Sequence, residues 1–269
     1  MIRPKLTLVH TGSRVAEISL LRIACALLLM VSTLVGCSES KSVGKAGKSA
    51  PALSASVDSQ LRILVIGGTS GIGLETVKLA LQRGHRVTAL SRNPDRVTLS
   101  HKLLTTTKGD ILDPESIVLA MEGQDAAIVS VGIPPTRKEV TLFSEGSKNV
   151  LGAMSSAKVN RVILVSGIGA GDSRGHGGVF YDNILQPLLL KTIYQDKDRA
   201  EQIVAASRTH WTIVRPGFLD DTQAAMNYRV VEDLRGITSG SISRSDVAHF
   251  MVSTLEDPDY IQRTVLLSN

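Results

Sequence analysis

The residues of this chain best suited to chemistry are Gly67-Gly68-Thr69-Ser70-Gly71-Ile72-Gly73, whose spacing builds a cradle for phosphate. They follow Arg62-Ile63-Leu64-Val65-Ile66, an apolar run rich in β-branched residues that reads as a buried strand. They precede Leu74, Val77, Leu79, Ala80 and Leu81, which recur at helical spacing until Gly84. At such a junction the free amides of the first helical turn point at an anion, and the helix dipole favours negative charge. Gly67 makes the turn, Gly71 leaves room for a phosphate, and Gly73 lets the helix pack on the strand. Thr69, Ser70 and Ile72 supply the backbone between them. A turn of this kind, in this context, receives the pyrophosphate of a dinucleotide.

The other end of that nucleotide would lie at the end of the second strand. A carboxylate there would hydrogen-bond the ribose of NAD, but the residues are Ser91-Arg92-Asn93. A guanidinium clamps a 2′-phosphate with two hydrogen bonds, so Arg92 favours NADP(H) over NAD(H). Gly109-Asp110 follows the third strand, where the Asp110 side chain either meets adenine or caps a turn.

The elements that must hold these residues alternate in type. Strands are expected at 86–91, 103–108, 126–131, 161–166, 211–215 and 264–267. Helices are expected at 142–157, 183–194, 196–207 and 246–255. The pattern is that of an α/β protein: a single doubly wound Rossmann domain, 61–269, with a mainly parallel sheet of about seven strands. Composition agrees, since 43% of residues are hydrophobic and only 3% aromatic, as suits strands buried on both faces.

Charge excludes one class of partner. The net charge of +5 is concentrated in residues 1–60, where seven Lys and Arg face three acids. The remainder carries 23 positive and 22 negative residues, so nucleic acid is not its expected partner. A small-molecule substrate is. Both cysteines, Cys25 and Cys37, lie in the basic end, so the main domain holds no disulfide or cysteine-bound metal. An apolar stretch at 23–35 follows Arg3, Lys5, Arg14 and Arg22, with the length of a signal-peptide core. It ends in Leu34-Val35-Gly36-Cys37, which resembles the lipobox of bacterial lipoproteins, implying cleavage and lipidation at Cys37. The competing readings of 1–37 are an uncleaved membrane anchor or a start assigned too far upstream of a cytoplasmic enzyme. Residues 38–60, rich in Ser, Ala, Gly and Lys, read as a flexible tether.

From Arg62 onward, about four fifths of the chain resembles the short-chain dehydrogenase/reductase superfamily, in its atypical branch of NmrA-like and biliverdin-reductase-B-like proteins. The residues that carry the likeness are the turn at 67–73, Val129-Ser130-Val131-Gly132, Val165-Ser166-Gly167, Trp211-Thr212-Ile213-Val214-Arg215-Pro216-Gly217, and Ile242-Ser243-Arg244-Ser245-Asp246-Val247-Ala248. The resemblance implies that Val131 and Gly132 approach the cofactor and that Pro216 and Gly217 lie beside the nicotinamide.

Many members of the superfamily use a Ser with a Tyr and a Lys four residues apart, the Lys lowering the phenol pKa for proton exchange. By resemblance Ser166 fits the serine and Lys197 the lysine. Ile193 stands four residues before Lys197, and Tyr194 is one place out of register, a rotation of about 100° that should turn it away. Tyr181, with Leu185 in its lysine's place, is a further candidate. The catalytic set implied is therefore Ser166, Tyr194 and Lys197 with an irregular pair. His176, in the loop after Ser166, is either an alternative proton donor or a solvated loop histidine, and His85, His101, His210 and His249 show no metal-ligand spacing. Two functions fit: an NAD(P)H-dependent reductase of flavins, quinones or carbonyls, or an NADP(H)-binding sensor without turnover.

Overall fold

The apolar runs at 62–66, 126–129 and 161–165 must be covered on both faces. In the computed structural model, which describes residues 47–50 and 60–269, they form the middle of a nine-stranded sheet. In chain order the elements are β1 (Lys48–Ser49), β2 (Arg62–Ile66), α1 (Gly71–Gln82), β3 (Arg86–Ser91), β4 (Leu104–Lys108), α2 (Pro114–Met121), β5 (Ala126–Val129), α3 (Leu142–Ala157) and β6 (Arg161–Val165). A π-helix (Tyr181–Leu190) then leads into α4 (Lys191–Ala205), followed by β7 (His210–Pro216), β8 (Phe218–Asp220), β9 (Arg229–Val231), β10 (Ser241–Ser243), α5 (Arg244–Ser253) and β11 (Arg263–Ser268).

The strand order is β1-β9-β11-β7-β6-β5-β2-β3-β4. The run from β11 to β4 is parallel throughout and comprises the seven expected strands. The sheet is wider than expected because β9 pairs antiparallel with β11 (Leu266↔Val231), and β1 with β9 (Lys48↔Val230). These short strands satisfy backbone groups that an edge at β11 would leave open. Lys48 and Ser49 fall inside the stretch read as a tether, so that reading does not describe these two residues. Residues 1–37, with Cys37, lie outside the described residues. Among the described residues no helix is long and apolar enough to cross a membrane.

Side chains along β2 alternate between two cores, as the two-residue period requires. Ile63 and Val65 pack with Val77 and Ala80 of α1 and Val247, Phe250 and Met251 of α5. Leu64 and Ile66 pack with Ile117 and Met121 of α2, Val150 and Met154 of α3, and Ala200 and Val204 of α4. The expected helix at 183–194 is instead the π-helix, and α4 starts at Lys191. Pro187 inside it has no N–H to donate to an i−4 carbonyl, so a regular α-ladder cannot run through this segment.

One buried carboxylate joins two of these helices. The α3 N-cap, Thr141, makes no side-chain cap. Asp196 of α4, fully buried, does the work: it accepts from the amides of Phe143 (2.7 Å) and Ser144 (3.3 Å) and from Ser144 Oγ (2.5 Å). Arg199 balances its charge at 3.1 Å. Asp196→Ala leaves these buried donors unsatisfied, so urea unfolding should show a loss of about 3 kcal/mol with an unchanged m-value.

Candidate active site

At the centre of the sheet β2 neighbours both β3 and β5, and the chain leaves these neighbours in opposite directions. Such a switch point opens a crevice at the carboxyl ends of the strands. The backbone there is crowded. Gly67 has φ +84°, and a Cβ on it would stand 2.2 Å from the Ser130 carbonyl oxygen at the end of β5. A Cβ on Gly73 would stand 2.2 Å from the Gly67 carbonyl oxygen. Gly71, at φ +53°, faces open space, with Arg244 Nε the nearest atom at 3.9 Å. Ser70 is the N-cap of α1 but makes no side-chain cap, and the first turn holds no acid. The amides at the start of α1 are thus left for an anion.

The crevice is lined by Gly67, Thr69 and Ser70 on one side and Ser130, Val131 and Gly132 on the other. Its far end holds Arg92, Asp110 and Arg96. Ile72 and Gly73 are buried beneath the turn, where Ile72 belongs to the core. Of the two expectations for Asp110 the turn contact is present, its Oδ1 accepting from the Leu112 amide at 3.0 Å, and the residue also lines the cleft. Arg96 was not singled out from sequence. A single turn of 3-10 helix, Pro94–Arg96, brings it round beside Arg92. Both arginines are exposed, and neither has an acidic partner among the described residues. The only hint in the sequence was the Asn93-Pro94 turn.

Pro216 and Gly217 are not among the residues lining this cleft. The Pro216 carbonyl accepts from Ile168 N (2.9 Å), and a Cβ on Gly217 would stand 2.4 Å from the Gly240 carbonyl oxygen. Gly217 stands where the chain turns from β7 into β8, which pairs with β10.

A second cluster forms around Gly167. Lys197 Nζ donates to the Ser166 carbonyl at 2.6 Å. A Cβ on Gly167 would meet the Tyr194 hydroxyl at 3.1 Å and Lys197 Nζ at 3.3 Å, so both groups converge on this residue. The expectation that Tyr194 turns away from Lys197 is therefore corrected. Residues three apart on a helix share a face, and the missing side chain at Gly167 lets both reach the same point. Ile193, at the regular tyrosine position, is buried in the core. Ser166 Oγ is buried and has no hydrogen-bond partner among the described residues.

The electrostatics follow from burial. Burial pulls the Lys197 ammonium down to about 8, with Glu201 acting in the opposite direction. Burial raises the Tyr194 phenol, a hydrogen bond with Tyr181 lowers it, and Glu201 raises it further. Tyr181 donates to the Ile168 carbonyl (3.0 Å) and sets its ring edge-on to Tyr194 and Phe218. His176 is held by the Ile237 carbonyl at 2.7 Å and serves to pin the loop. No group of three or more potential metal ligands occurs among the described residues.

The crowding at the switch point gives a direct test. Gly67→Ala places a methyl group on backbone and demands positive φ. It should cost more than about 2 kcal/mol in urea unfolding and reduce nucleotide affinity in calorimetry.

Three comparisons bear on this geometry. The chain is 26% identical over 206 residues to an uncharacterized sugar epimerase, YhfK, of Bacillus subtilis, covering 73% of this chain and 89% of that protein. ChuY, an anaerobillin reductase of Escherichia coli O157:H7, superposes with a TM-score of 0.66 at 23% identity over 77% of this chain and 96% of its own. A short-chain dehydrogenase/reductase of Veillonella parvula in complex with NADP gives 0.67 at 16% identity, over 78% of this chain and 95% of its own. At those identities the two structures show the shared Rossmann fold. A family model described as NAD(P)H-binding matches residues 67–258, from the first glycine of the turn nearly to β11, and the chain belongs to that family.

Proposed function

We propose that this protein is an NADP(H)-dependent reductase of small, largely apolar carbonyl or quinone acceptors. The observation that carries the reading is the convergence of Tyr194 and Lys197 on Gly167, next in the chain to Ser166, whose Oγ is buried and unpartnered. A buried hydroxyl without a partner is costly unless a ligand supplies one. The cofactor, when bound, supplies a hydride, two electrons and a proton's mass, to the electrophilic atom of the acceptor. Ser166 Oγ donates to the acceptor oxygen as negative charge develops there. Tyr194, kept neutral by its raised pKa, gives that oxygen its proton, and the Lys197 ammonium steadies the phenolate left behind. The Tyr181 ring packs edge-on against both Tyr194 and Phe218, and Phe180, Ile184 and Leu188 of the same segment are exposed, which suits an apolar acceptor.

A second reading rests on one contact. Lys197 already donates to the Ser166 carbonyl, and its spacing from Tyr194 is three residues, so the pair could be structural in an NADP(H) sensor. Incubating the protein with NADPH and a panel of quinones, flavins and carbonyls separates the two. The reductase oxidises NADPH with at least one acceptor, and its rate falls as pH rises through about 8, where Lys197 loses its charge. Tyr194→Phe should then cost on the order of a hundredfold in kcat. Tight NADPH binding with no acceptor reduced at any pH would establish the sensor.

Cofactor choice rests on Arg92 and Arg96 together at the far end of the cleft. Arg92→Glu should weaken NADPH by on the order of tenfold or more and leave NADH nearly unchanged. Equal losses for both cofactors would show that the guanidinium does not meet the 2′-phosphate.

A further inference from the structure

We infer that Arg244 is a second cationic contact for the diphosphate of the cofactor, an inference that rests on dinucleotide binding at the turn of 67–73. Arg244 is the first residue of α5. Its Nε and Cδ are the atoms nearest the open face of Gly71, 3.9 and 4.0 Å from where a Cβ would be. This is the face that the absence of a side chain leaves clear for a phosphate. Asp221 holds Nη1 at 2.7 Å, while Nε and Nη2 have no partner among the described residues. A guanidinium so held offers its remaining edge as a fork to one anion.

The base of this arm is fixed. Ser243 caps α5, its Oγ accepting from the Asp246 amide at 2.9 Å. Asp246 in turn accepts from the amides of Ala225 (3.3 Å) and Met226 (2.8 Å) and from Ser243 Oγ (2.8 Å). Ser245 Oγ lies 3.5 Å from Glu75 of α1, and Lys78 occupies that carboxylate at 2.8 Å. Glu75 is thus already neutralised, and the other acid beside the arginine, Asp221, is 89% exposed and screened by water. The starts of α1 and α5 therefore present amide dipoles and a guanidinium to the same space. The diphosphate carries two charges, which one helix terminus meets only in part.

Two probes on the full chain test this: NADP⁺, and adenosine 2′-monophosphate, which carries the far phosphate but no diphosphate. By calorimetry Arg244→Gln should weaken NADP⁺ by on the order of tenfold or more, and the monophosphate by less than about twofold. Retained monophosphate binding also shows that the variant is folded. Arg92→Glu should weaken both probes. The inference is overturned if Arg244→Gln leaves NADP⁺ affinity unchanged or weakens both probes alike. If the unsubstituted chain binds neither probe, the dinucleotide reading itself has failed, and the role of Arg244 fails with it.

Discussion

Everything at the nucleotide end of this fold depends on three stretches of backbone lying closer together than side chains permit. The turn after β2 passes against the end of β5 at Ser130, and the start of α1 passes against the turn at Gly73. Hydrophobic burial cannot create such an approach, because any Cβ would prevent it. What the approach provides is a bare wall of amides at the one place where parallel strands diverge. The seven parallel strands set the position of that place, and the helices of both faces keep it from opening.

The chemistry at the other end is organised by α4. Four of its ionisable residues face four different elements. Asp196 caps α3, and Lys197 holds the Ser166 carbonyl at the end of β6. Asp198 accepts from the Gly171 amide and pairs with Arg174 in the following loop. Glu201 grips Arg215 of β7 through two hydrogen bonds, 3.0 and 2.6 Å long, and Arg215 also binds Asp172. The loop from 167 to 178 carries six glycines' worth of freedom only in composition; in the fold it is tied down at Gly169, Gly171, Asp172, Arg174 and His176. A helix that fixes this loop at several points also fixes Tyr194 and Lys197 relative to it.

The parts that could be read from sequence are those governed by local rules. The β2-turn-α1 unit, α3 and the parallel strands were legible because apolar periodicity and glycine placement act within a dozen residues. The short strands β8, β9 and β10 carry too few residues to show a period; β9 forms on the edge that β11 offers, and β8 and β10 form by pairing with each other. The helix α2, capped by Asp113 with Pro114 at its first position, has only eight residues, too few to show a period, and is not among the helices expected from sequence. Tyr194 was misjudged for a different reason. Counting positions on one helix describes where a side chain starts, whereas its reach was decided by Gly167 on another element. Arg96 was unreadable as a cleft residue because a single 3-10 turn after β3 brings it to the cleft beside Arg92.

The same helix settles which of two opposing effects governs Lys197. Glu201 stands near enough to hold its proton on, yet the ammonium ends up well below its usual range, at about 8. The reason lies in Arg215, which takes both carboxylate oxygens of Glu201. A carboxylate already paired bidentately has little field left for a third group, so desolvation wins. Arg215 in turn remains charged because Glu201 and Asp172 together offset its burial. A residue of β7 therefore bears on the charge of Lys197 through a carboxylate shared along one helical turn.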